Sequence, residues 1–493
     1  MTINISTLTQ HWKQTNTMTI EKIGLKEKIG YGFGDAASSM FWKIFGMYSL
    51  FFYTDVLGIT AAAAGTMFLV ARLWDSFFDV FVGIISDRTK SQYGKYRPYL
   101  LWFAIPFAVM GAITFFAPDF GQTGKLVYAY ITYSLMMIVY SMINVPYASL
   151  LGAISADPTE RNSLSSYRMS FAFIGSFVTF MLLQPLIDFF SKAVGVEGVA
   201  QATQAAENSV STSPVGWVMG VGAIGMICVI LFLLCFSWTK ERVTQIESEE
   251  NTSIKQDLKN LLHNAPWWIL VATGLAALLF NAVRDSVAIY FFRDYVKVNY
   301  RMAGTGWDMT TIYFLVGQAA NLIGVMAAPS VSAKYGKKKT YMIAMLTAGV
   351  LSTGFYFIPN DIAWILAFQF MISLFAGYVL PLLWSMFADI VDHQELLTGR
   401  RATGLIFSSS SMSQKLGWAF GSAMSGWILA VFKYVPDAVE QSAQTIFGEH
   451  IMISLIPALC CVLAFVGMMF YPLTDKKVTE ISEQLNLKRN TSI

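Results

Sequence analysis

The sequence predicts an all-α membrane protein with twelve transmembrane helices in two pseudo-repeats of six. Hydrophobic residues make up 55% of the chain and charged residues only 13%, whereas soluble domains usually carry about 25% charged residues. Hydropathy gives twelve apolar runs, most of them about 20 residues long, which is the length that an α-helix needs to cross a bilayer. The runs fall six and six around a charged segment that has no apolar run.

The predicted spans cover residues 30–56, 65–85, 98–117, 127–150, 167–187 and 215–236, and then 267–292, 310–331, 341–358, 363–387, 404–431 and 451–471. We therefore expect an N-terminal extension (1–29), an N-terminal six-helix bundle (30–236), a central linker (237–266), a C-terminal six-helix bundle (267–472) and a tail (473–493). Lys and Arg concentrate on the side of the linker, which places it and both termini in the cytoplasm. The polar N-terminal segment predicts no secretory signal peptide, and either Met1 or Met18 could be the start.

Composition and motifs disfavour several classes of function. The four cysteines lie in apolar runs and the four histidines are dispersed, so we expect no disulfide, no metal site and no cofactor other than a coupling ion. Basic residues occur in short scattered clusters, which argues against binding of nucleic acid. The chain has no HExxH or GxSxG motif, which disfavours a multi-pass membrane enzyme.

The second span carries three charged residues in the middle of its apolar run, Arg72, Asp75 and Asp79. A charge at that depth costs about 2.5–3.5 kcal/mol, so intramembrane ionisable residues are functional candidates by default. Their i,i+3 and i,i+4 spacing places them on one helix face, where they can pair with one another. The pattern indicates either a structural ion pair or a cation site made by the two carboxylates, and we favour the cation site.

A basic hairpin follows the second span and recurs after the eighth, as Tyr93-Gly94-Lys95 and Tyr335-Gly336-Lys337. Parallel six-helix repeats build one large class of transporters. The cations could be ordinary positive-inside charge, but their recurrence at the same place in both halves favours a role in latching a gate. The residues assigned to this cytoplasmic gate are Arg72, Asp87, Arg88, Gly94, Lys95, Asp389, Asp392 and Arg400.

Polar residues in the first span predict a substrate cavity, because sugars are bound by hydrogen-bonding side chains and by aromatic faces. Asp35, Ser39 and Lys43 follow i,i+4,i+8 spacing and so share one helix face. Lys43 lies near the middle of the membrane. It could contact the substrate or form an ion pair with Asp75 or Asp79, and the sequence leaves both possibilities open.

Later spans add further candidates for substrate binding. We expect Arg284 to pair with Asp285 at the outer part of the cavity, and Lys415 lies in a polar strip of the eleventh span. Tyr147 and Trp384 are weaker candidates for stacking on a sugar, since aromatic residues in spans usually pack or lie at the membrane interface. A slight excess of cations in the cavity would suit an acidic sugar such as a hexuronide, but equally a neutral glycoside with the cations paired to the acids.

Several motifs occur together over about residues 30–471. They are Tyr31-Gly32-Phe33-Gly34-Asp35, Phe51-Phe52-Tyr53-Thr54-Asp55, the second-span residues Arg72, Asp75, Asp79 and Gly83, Asn144-Val145-Pro146-Tyr147, and Ala388-Asp389-Ile390-Val391-Asp392. With them the sequence resembles the major facilitator superfamily and, more narrowly, the glycoside–pentoside–hexuronide:cation symporters, the melibiose-carrier family. The resemblance implies the major facilitator fold and alternating access, in which two halves rock around a sugar site and a cation moves with the sugar.

The resemblance also implies roles for individual residues. The implied cation site consists of Asp75, Asp79, Asn144 and Ser141. Arg168 matches a family arginine that contacts the sugar or the inner gate, and Lys415 matches a family lysine that bears on both sites. Asn144 stands where the melibiose carriers have an acid, and Phe78 stands where they have asparagine. Because a Na⁺ cage loses oxygen ligands by these changes while a proton needs only one titratable carboxylate, we favour H⁺ over Na⁺.

Two alternatives to a sugar symporter remain. One is a symporter of lysolipid or another amphiphile on the same fold, against which the polar strips of the first and eleventh spans argue. The other is a non-transporting membrane sugar sensor, although the segments outside the spans contain no signalling domain. We expect a protein of the cell membrane, in bacteria the inner membrane, that functions as a monomer and contacts a small sugar or glycoside and membrane lipid.

Overall fold

The structure is a computed structural model that describes residues 23–155, 157–194, 212–242, 259–297, 307–399, 403–436, 438 and 440–491. Within these ranges every regular element is a helix, in agreement with the all-α prediction. The predicted extension before residue 23, residues 243–258 of the predicted linker and the gate candidate Arg400 lie outside the described residues.

The first set of helices is α1 to α6. Helix α1 covers residues 25–56, with α-helix at Leu25–Lys43 and Ser49–Phe51 and π-helical turns at Ile44–Tyr48 and Phe52–Val56. Helices α2 to α6 are Ala61–Arg88, Arg97–Trp102 with Ala104–Thr114, Gln122–Ile154, Pro158–Ala193 and Pro214–Trp238. Single π-helical turns inside α-helices occur frequently at functional sites.

The second set is α7 to α12, followed by a terminal helix. Helix α7 is Ala265–Tyr290 and continues as a π-helical turn, Phe291–Val296. Helices α8 to α12 are Met309–Tyr335, Lys337–Phe355, Ile362–Gly377 with Val379–Thr398, Thr403–Val431, and Ala443–Ile453 with Leu455–Met469. Helix α13, Asp475–Thr491, lies in the predicted tail.

Several helices are longer than the apolar runs that predicted them. Helix α5 begins at Pro158 rather than at residue 167, and α10 continues to Thr398 rather than ending at residue 387. Hydropathy reports only the part of a helix that fits the apolar layer. The backbone hydrogen bonds that define the helix do not depend on apolar side chains, so the polar ends remain helical.

Seven of the described helices are long and apolar enough to cross a membrane. They are Gln122–Ile154, Ser163–Ala193, Pro214–Trp238, Ala265–Val296, Met309–Tyr335, Ile362–Thr398 and Ala443–Met469. Helix α2 shows how a charged helix is accommodated beside them. The side chains of Trp74, Phe77 and Phe81 are 58%, 61% and 61% exposed, whereas those of Arg72 and Asp75 are buried. The outward face of α2 is therefore apolar, and its charges face other helices.

The helices pack mainly within each set. Helix α1 packs on α5 and α6, α2 on α4, and α3 on α4 and α6; in the second set α7 packs on α11 and α12, α8 on α10, and α9 on α10 and α12. The main contacts between the sets are α2 along α11, α5 against α8, and the end of α1 against α7. A site between the two sets can therefore draw side chains from α1, α2, α4, α5, α7 and α11.

Candidate functional site

A charged cluster joins the two sets of helices in the middle of the molecule. Lys415 on α11 places its Nζ 3.1 Å from Oδ2 of Asp75 and also bonds to Oδ2 of Asp79, both on α2. On the other side, Ser141 on α4 donates a hydrogen bond of 2.6 Å from Oγ to Oδ1 of Asp75. The structure thus brings together three residues of the implied cation site and the lysine that the sequence places in a polar strip.

The central cluster has one more carboxylate than it has cations among these side chains. Both oxygens of Asp75 accept bonds, and Asp79 bonds through Oδ2 only, since its buried Oδ1 has no hydrogen-bond partner among the described residues. Asn144 donates its Nδ2 to the carbonyl oxygen of Tyr140 on its own helix, at 3.2 Å, and is joined to neither acid by a described hydrogen bond. The free oxygen of Asp79 can accept a proton or a cation, but the full implied set of ligands is not assembled around it.

Among its described contacts, Arg72 does not pair with the acids of its own helix, although the shared face would allow it. Its guanidinium lies 4.9 Å from the ring centre of Trp42, and its Nε donates to the hydroxyl of Tyr133 at 3.2 Å. A shared helix face allows an ion pair but does not require one. Here the side chain of Arg72 extends instead toward the aromatic rings of Trp42 on α1 and Tyr133 on α4. Arg72 also lies roughly 22 Å along the helix from Asp87, at 1.5 Å per residue, and its place in the predicted gate stays a prediction.

Two of the predicted substrate residues form an ion pair. Nε of Arg168 on α5 lies 3.4 Å from Oδ1 of Asp35 on α1, and its guanidinium lies 5.2 Å from the ring centre of Tyr147. Tyr147 itself is fully buried, stacks on Tyr31 with ring centres 4.8 Å apart, and donates its hydroxyl to the carbonyl of Tyr31 at 2.7 Å. Its ring packs helices together in this structure, and its role as a stacking surface for sugar stays a prediction. Ser39, one turn after Asp35, is half-buried.

Lys43, which is half-buried, and the buried Arg284 have neighbours other than the expected partners. Lys43 is not paired with Asp75 or Asp79; its Nζ lies 5.8 Å from the ring centre of Phe180, and Asp285 is the acid whose charge acts on it. Arg284 and Asp285 do not form the predicted local pair among the described contacts, because adjacent helix positions point about 100° apart.

Arg284 has unfilled hydrogen-bonding capacity. Its guanidinium lies 5.8 and 5.7 Å from the ring centres of Tyr313 and Phe355, while its buried Nε and Nη2 have no acceptor among the described residues. Trp384 is half-buried beside Phe387, with ring centres 6.4 Å apart. Unfilled donors in a buried position are what an acceptor-rich ligand such as a sugar can satisfy.

At one end of the molecule, which we call the hairpin end, lie the predicted gate residues. Asp87 accepts a hydrogen bond of 2.8 Å from the hydroxyl of Tyr96 and lies 3.9 Å from Nζ of Lys95. Burial, and then this hydrogen bond, raises the pKa of the Tyr96 hydroxyl, so it remains a donor at neutral pH. Arg88 is exposed.

In the second hairpin, Nζ of Lys337 bonds to both oxygens of Asp389 at 2.7 Å. Asp392 follows one turn later and is half-buried. Each gate pair described here joins residues of the same set of helices.

The sequence interpretation missed the carboxylates that anchor both hairpins. Glu241, just after α6, accepts hydrogen bonds from the backbone N–H groups of Lys95, Tyr96 and Arg97 at 2.7 to 2.8 Å, at the start of α3. Asp475, just after α12, accepts from the N–H of Lys337 at 3.0 Å, at the start of α9. Both exploit the partial positive charge of a helix N-terminus. The repeated Tyr-Gly-Lys, followed in each half by an acid after the sixth helix, is the pattern that could have revealed them.

Glycine is required in both hairpins. Gly94 and Gly336 have φ of 106° and 88°, and a Cβ at either position would lie 2.5 Å from Glu241 or 2.4 Å from Asp475. The glycines of the two hairpins therefore allow a positive φ and a close approach of the acidic side chain. Gly94 thus has a structural role within the predicted gate.

The opposite end of the molecule, which we call the closed end, is sealed by contacts between the two sets. Trp427 on α11 donates from Nε1 to Oγ1 of Thr66 on α2 at 3.1 Å, and Trp307, before α8, donates to the carbonyl of Met181 on α5 at 2.9 Å. Gly426 on α11 lies so close to α2 that a Cβ would approach the carbonyl oxygen of Ala61 to 2.3 Å. The two sets of helices are thus in direct contact at the closed end.

An all-helical membrane chain with ionisable side chains buried between two sets of helices, and sealed at one end, has the features of a secondary transporter. The chain belongs to the MFS/sugar transport protein family, which it matches over residues 30–475. This confirms the resemblance to the glycoside–pentoside–hexuronide:cation symporters. The protein is a multi-pass membrane transporter of the sugar-transport class and not an enzyme.

Similar proteins from bacteria match nearly the whole chain. The inner membrane symporter YicJ of Escherichia coli (strain K12) is 32% identical over 470 residues, covering 95% of this chain and 96% of the relative. The isoprimeverose transporter of Lactiplantibacillus pentosus is 33% identical, covering 94% and 92%. The glucuronide carrier protein homolog of Escherichia coli (strain K12) is 31% identical, covering 95% and 97%.

Solved structures support the fold. A bacterial homolog of the human lysosomal transporter Spinster, in an inward-facing and unoccupied conformation, superposes with a TM-score of 0.63 at 11% identity, covering 91% of this chain and 95% of the other. A D-xylose–proton symporter superposes with a TM-score of 0.57 at 15% identity, covering 91% and 97%.

Proposed function

We propose that this protein is a cation-coupled sugar symporter that works by alternating access, with H⁺ as the favoured coupling ion. The observation that carries the proposal is the central cluster. In it Lys415 pairs with two carboxylates of α2, and Asp79 keeps a buried oxygen without a hydrogen-bond partner among the described residues. One ammonium against two carboxylates leaves an uncompensated negative charge in a buried place, which a proton or cation would neutralise.

The same cluster couples the ion to movement between the halves. Lys415 belongs to α11 and the two acids to α2, so its ion pairs hold the two sets of helices together. A cation at Asp79 or Asp75 weakens the hold of Lys415 on those acids. The lysine is then free to bond to a substrate hydroxyl or carboxylate, so that ion and substrate bind in the same state.

A proton fits the available oxygens better than Na⁺ does. Both oxygens of Asp75 are already engaged, Asn144 bonds to its own helix, and only Oδ1 of Asp79 is open in this state. Hard cations need several oxygen ligands, whereas a proton needs one. This supports the preference for H⁺ that the loss of an acid at Asn144 predicts.

The substrate site in this proposal lies between the two sets, at Asp35, Ser39, Lys43, Arg168, Arg284 and Lys415. The substrate class is a glycoside, pentoside or hexuronide, which accords with relatives named for isoprimeverose and glucuronide. Hydroxyl-rich ligands could satisfy the open donors of Arg284, and an acidic sugar would bring a counter-charge to Lys43.

The topology completes the proposal. Helices α1 to α12 would make twelve crossings in two six-helix bundles, 30–236 and 267–472, joined by a cytoplasmic linker, with both termini cytoplasmic and one chain sufficient for transport. The closed end would then face outward, and the hairpin end would face the cytoplasm. In this orientation the contacts at the closed end would correspond to an inward-facing state.

The first experiment is a pH measurement outside de-energised, sodium-free vesicles that contain the protein. Adding a transported glycoside or glucuronide is expected to make the outside medium more alkaline, because protons enter with the sugar. Vesicles without the protein are the control. Sugar uptake that needs Na⁺ and moves no protons would contradict H⁺ coupling. Failure of every sugar under both conditions, with transport of a lysolipid instead, would overturn the sugar assignment.

Lys43→Met is expected to lower the apparent affinity for a glucuronide by about 10- to 150-fold and to change that for a neutral glycoside much less. A charge-assisted hydrogen bond contributes about 1.5–3 kcal/mol, and every 1.4 kcal/mol is tenfold. Lys26→Met, at an exposed lysine of the same helix, is the matched control. Competition binding of both sugar classes measures the effect. Unchanged glucuronide affinity in Lys43→Met would rule out the acidic cargo.

A further inference from the structure

A second buried cluster of charged residues lies at the closed end, away from the central cluster. Arg293, in the π-helical turn after α7, places Nη1 2.5 Å from Oδ1 of Asp55 at the end of α1. Its Nε lies 2.8 Å from Oδ1 of the neighbouring Asp294, and its Nη2 donates to the hydroxyl of Tyr434 at 2.7 Å. We call Asp55, Arg293, Asp294, Tyr434 and the nearby Glu449 of α12 the closed-end cluster.

The closed-end cluster ties the two sets of helices together. Asp55 belongs to the first set, and its Oδ1 accepts from both Arg293 and Tyr434 of the second set, each at 2.5 Å. Its Oδ2 accepts from Thr54 at 2.6 Å, and the Thr54 hydroxyl is itself 2.8 Å from that of Tyr290 on α7. These bonds must break if the closed end is to open.

Glu449 is the unusual member of the cluster. Its side chain has no solvent exposure, and both of its carboxyl oxygens lack a hydrogen-bond partner among the described residues. The charged groups that act on Glu449 are Asp294, Arg293 and Asp55. The charge of Glu449 acts in turn on the hydroxyl of Tyr290.

The titratable groups around Glu449 carry more negative than positive charge. His450, the next residue of α12, stacks between the rings of Tyr295 and Tyr356, at 4.6 and 4.7 Å. Arg293 already bonds to two carboxylates and to Tyr434. The cluster therefore contains three carboxylates and one guanidinium.

These observations decide which ligand Glu449 can take. An isolated ionised carboxylate without hydrogen bonds is so costly to bury that such a group takes up a proton instead. Two ionised carboxylates cannot form a hydrogen bond with each other, because both are only acceptors. A proton on Glu449 would let it donate a hydrogen bond to Asp294. A metal cation would need several oxygens, whereas those of Asp55 and Asp294 already accept hydrogen bonds.

We propose that Glu449 is a second proton site, which takes up one proton when the closed end forms and releases it to the outside medium when that end opens. The ionised Glu449 adds a third negative charge beside Arg293 and competes with Asp55 for it. The competition weakens the bonds between the two sets and favours the open state, in which water solvates the carboxylate. The proposal rests on the alternating access proposed above, but it does not depend on the sugar or on the coupling ion.

The direction of the pH dependence follows from the proton count. The closed form binds one more proton than the open form, so lowering the pH stabilises the closed form and raising it favours the open form. The proton moves only between Glu449 and the outside medium, so this site regulates exposure of the pathway and adds no charge to the transported load.

The test measures opening of the closed end directly, without sugar. Spin labels are attached to Phe120→Cys, between α3 and α4, and Phe357→Cys, between α9 and α10, where both native side chains are exposed. The four native cysteines are buried and unpaired, so background labelling is low, and the chain without added cysteines measures it. In the labelled parent, pulsed electron paramagnetic resonance in lipid nanodiscs is expected to show the longer distance gaining population as pH rises.

Glu449→Gln, which resembles the protonated side chain, is expected to remove this transition and keep the short distance at all pH values. Glu440→Gln is the matched control, because Glu440 is an exposed acid before the same helix, with 82% of its side chain accessible. The series is repeated with Asp75→Asn, which removes titration of the central cluster at that position. A transition that persists unchanged in Glu449→Gln, or that disappears with Asp75→Asn alone, would overturn the proposal.

A second measurement keeps the proposal testable if Glu449→Gln does not fold. In the infrared spectrum of the unsubstituted protein, a carbonyl band of a protonated carboxylic acid in an apolar site is expected at low pH and is lost through the same transition. Glu449→Asp retains the acid and is expected to retain the band at a shifted frequency. Absence of any titrating band in Glu449→Asp and in the parent would contradict a proton on this residue.

Discussion

Asp75→Asn is expected to abolish cation-driven accumulation of sugar while leaving equilibration down the sugar gradient. In the native cluster one lysine faces two carboxylates, and the missing positive charge makes cation binding favourable. The substitution leaves Lys415 and Asp79 as a neutral pair that no longer requires the ion. For one-to-one symport, an imposed gradient of about one pH unit should give about tenfold accumulation with the native chain, since tenfold corresponds to about 1.4 kcal/mol. The variant should stop at equal concentrations.

Radiolabelled uptake into proteoliposomes with an imposed pH gradient, alongside exchange without a gradient, measures the two properties separately. Asp79→Asn is expected to behave in the same way, because the amide carries no charge and takes up no proton in place of the carboxylate with the free oxygen. Ser76→Ala is the matched control on α2, since Ser76 bonds only to the backbone carbonyl of Arg72 among its described contacts. Accumulation that survives in both aspartate variants would show that the coupling ion binds elsewhere.

Gly426→Ala is expected to shift the equilibrium toward the form in which the two sets of helices separate at the closed end. We therefore expect transport to be strongly depressed. A Cβ at this position would lie 2.3 Å from the carbonyl oxygen of Ala61, a backbone atom of α2 that cannot move aside alone. Overpacking of this kind typically costs about 1–3 kcal/mol. A cost of that size, borne by the closed form only, changes the ratio of closed to open molecules by about 5- to 150-fold.

The spin-label pair at Phe120→Cys and Phe357→Cys measures this population directly, and uptake assays give its effect on transport. Gly222→Ala is the matched control, because a Cβ there would meet only the Cβ of Ala112, at an ordinary 3.7 Å. An unchanged distance distribution in Gly426→Ala would mean that the two sets of helices can separate slightly without loss of the closed form. The glycine would then have no part in setting the equilibrium.

Much of the fold could be predicted because the bilayer restricts what the sequence can do. A backbone in hydrocarbon must satisfy its own hydrogen bonds, so long apolar runs predict helices and hydropathy locates them. Charges in such a run must face protein or water, which placed Asp75 and Asp79 on an inward face of α2. The apolar face formed by Trp74, Phe77 and Phe81 is the exposed, outward face of the same helix.

The partners of those charges could not be predicted in the same way. Helical spacing says which residues share a face, so it suggested Arg72 as the partner of Asp75 and Asp79. The tertiary structure instead brings Lys415 to them from a helix more than 300 residues away along the chain, and turns Arg72 toward Trp42 and Tyr133. Which helix lies opposite a given face depends on how all of the helices pack.

The sequence by itself indicated the class of the protein, through the motifs that carry its family resemblance. It also determined the helical architecture and the residues of α2 that must face inward, because these follow from local periodicity and from the cost of burying charge in a membrane. Only the tertiary structure decided that Lys415 bridges the halves, that Glu241 and Asp475 anchor the hairpins, and that Glu449 lies buried beside Asp294 without a hydrogen-bond partner among the described residues. Each of these depends on groups distant in sequence meeting across helices, and no local pattern encodes which groups those will be.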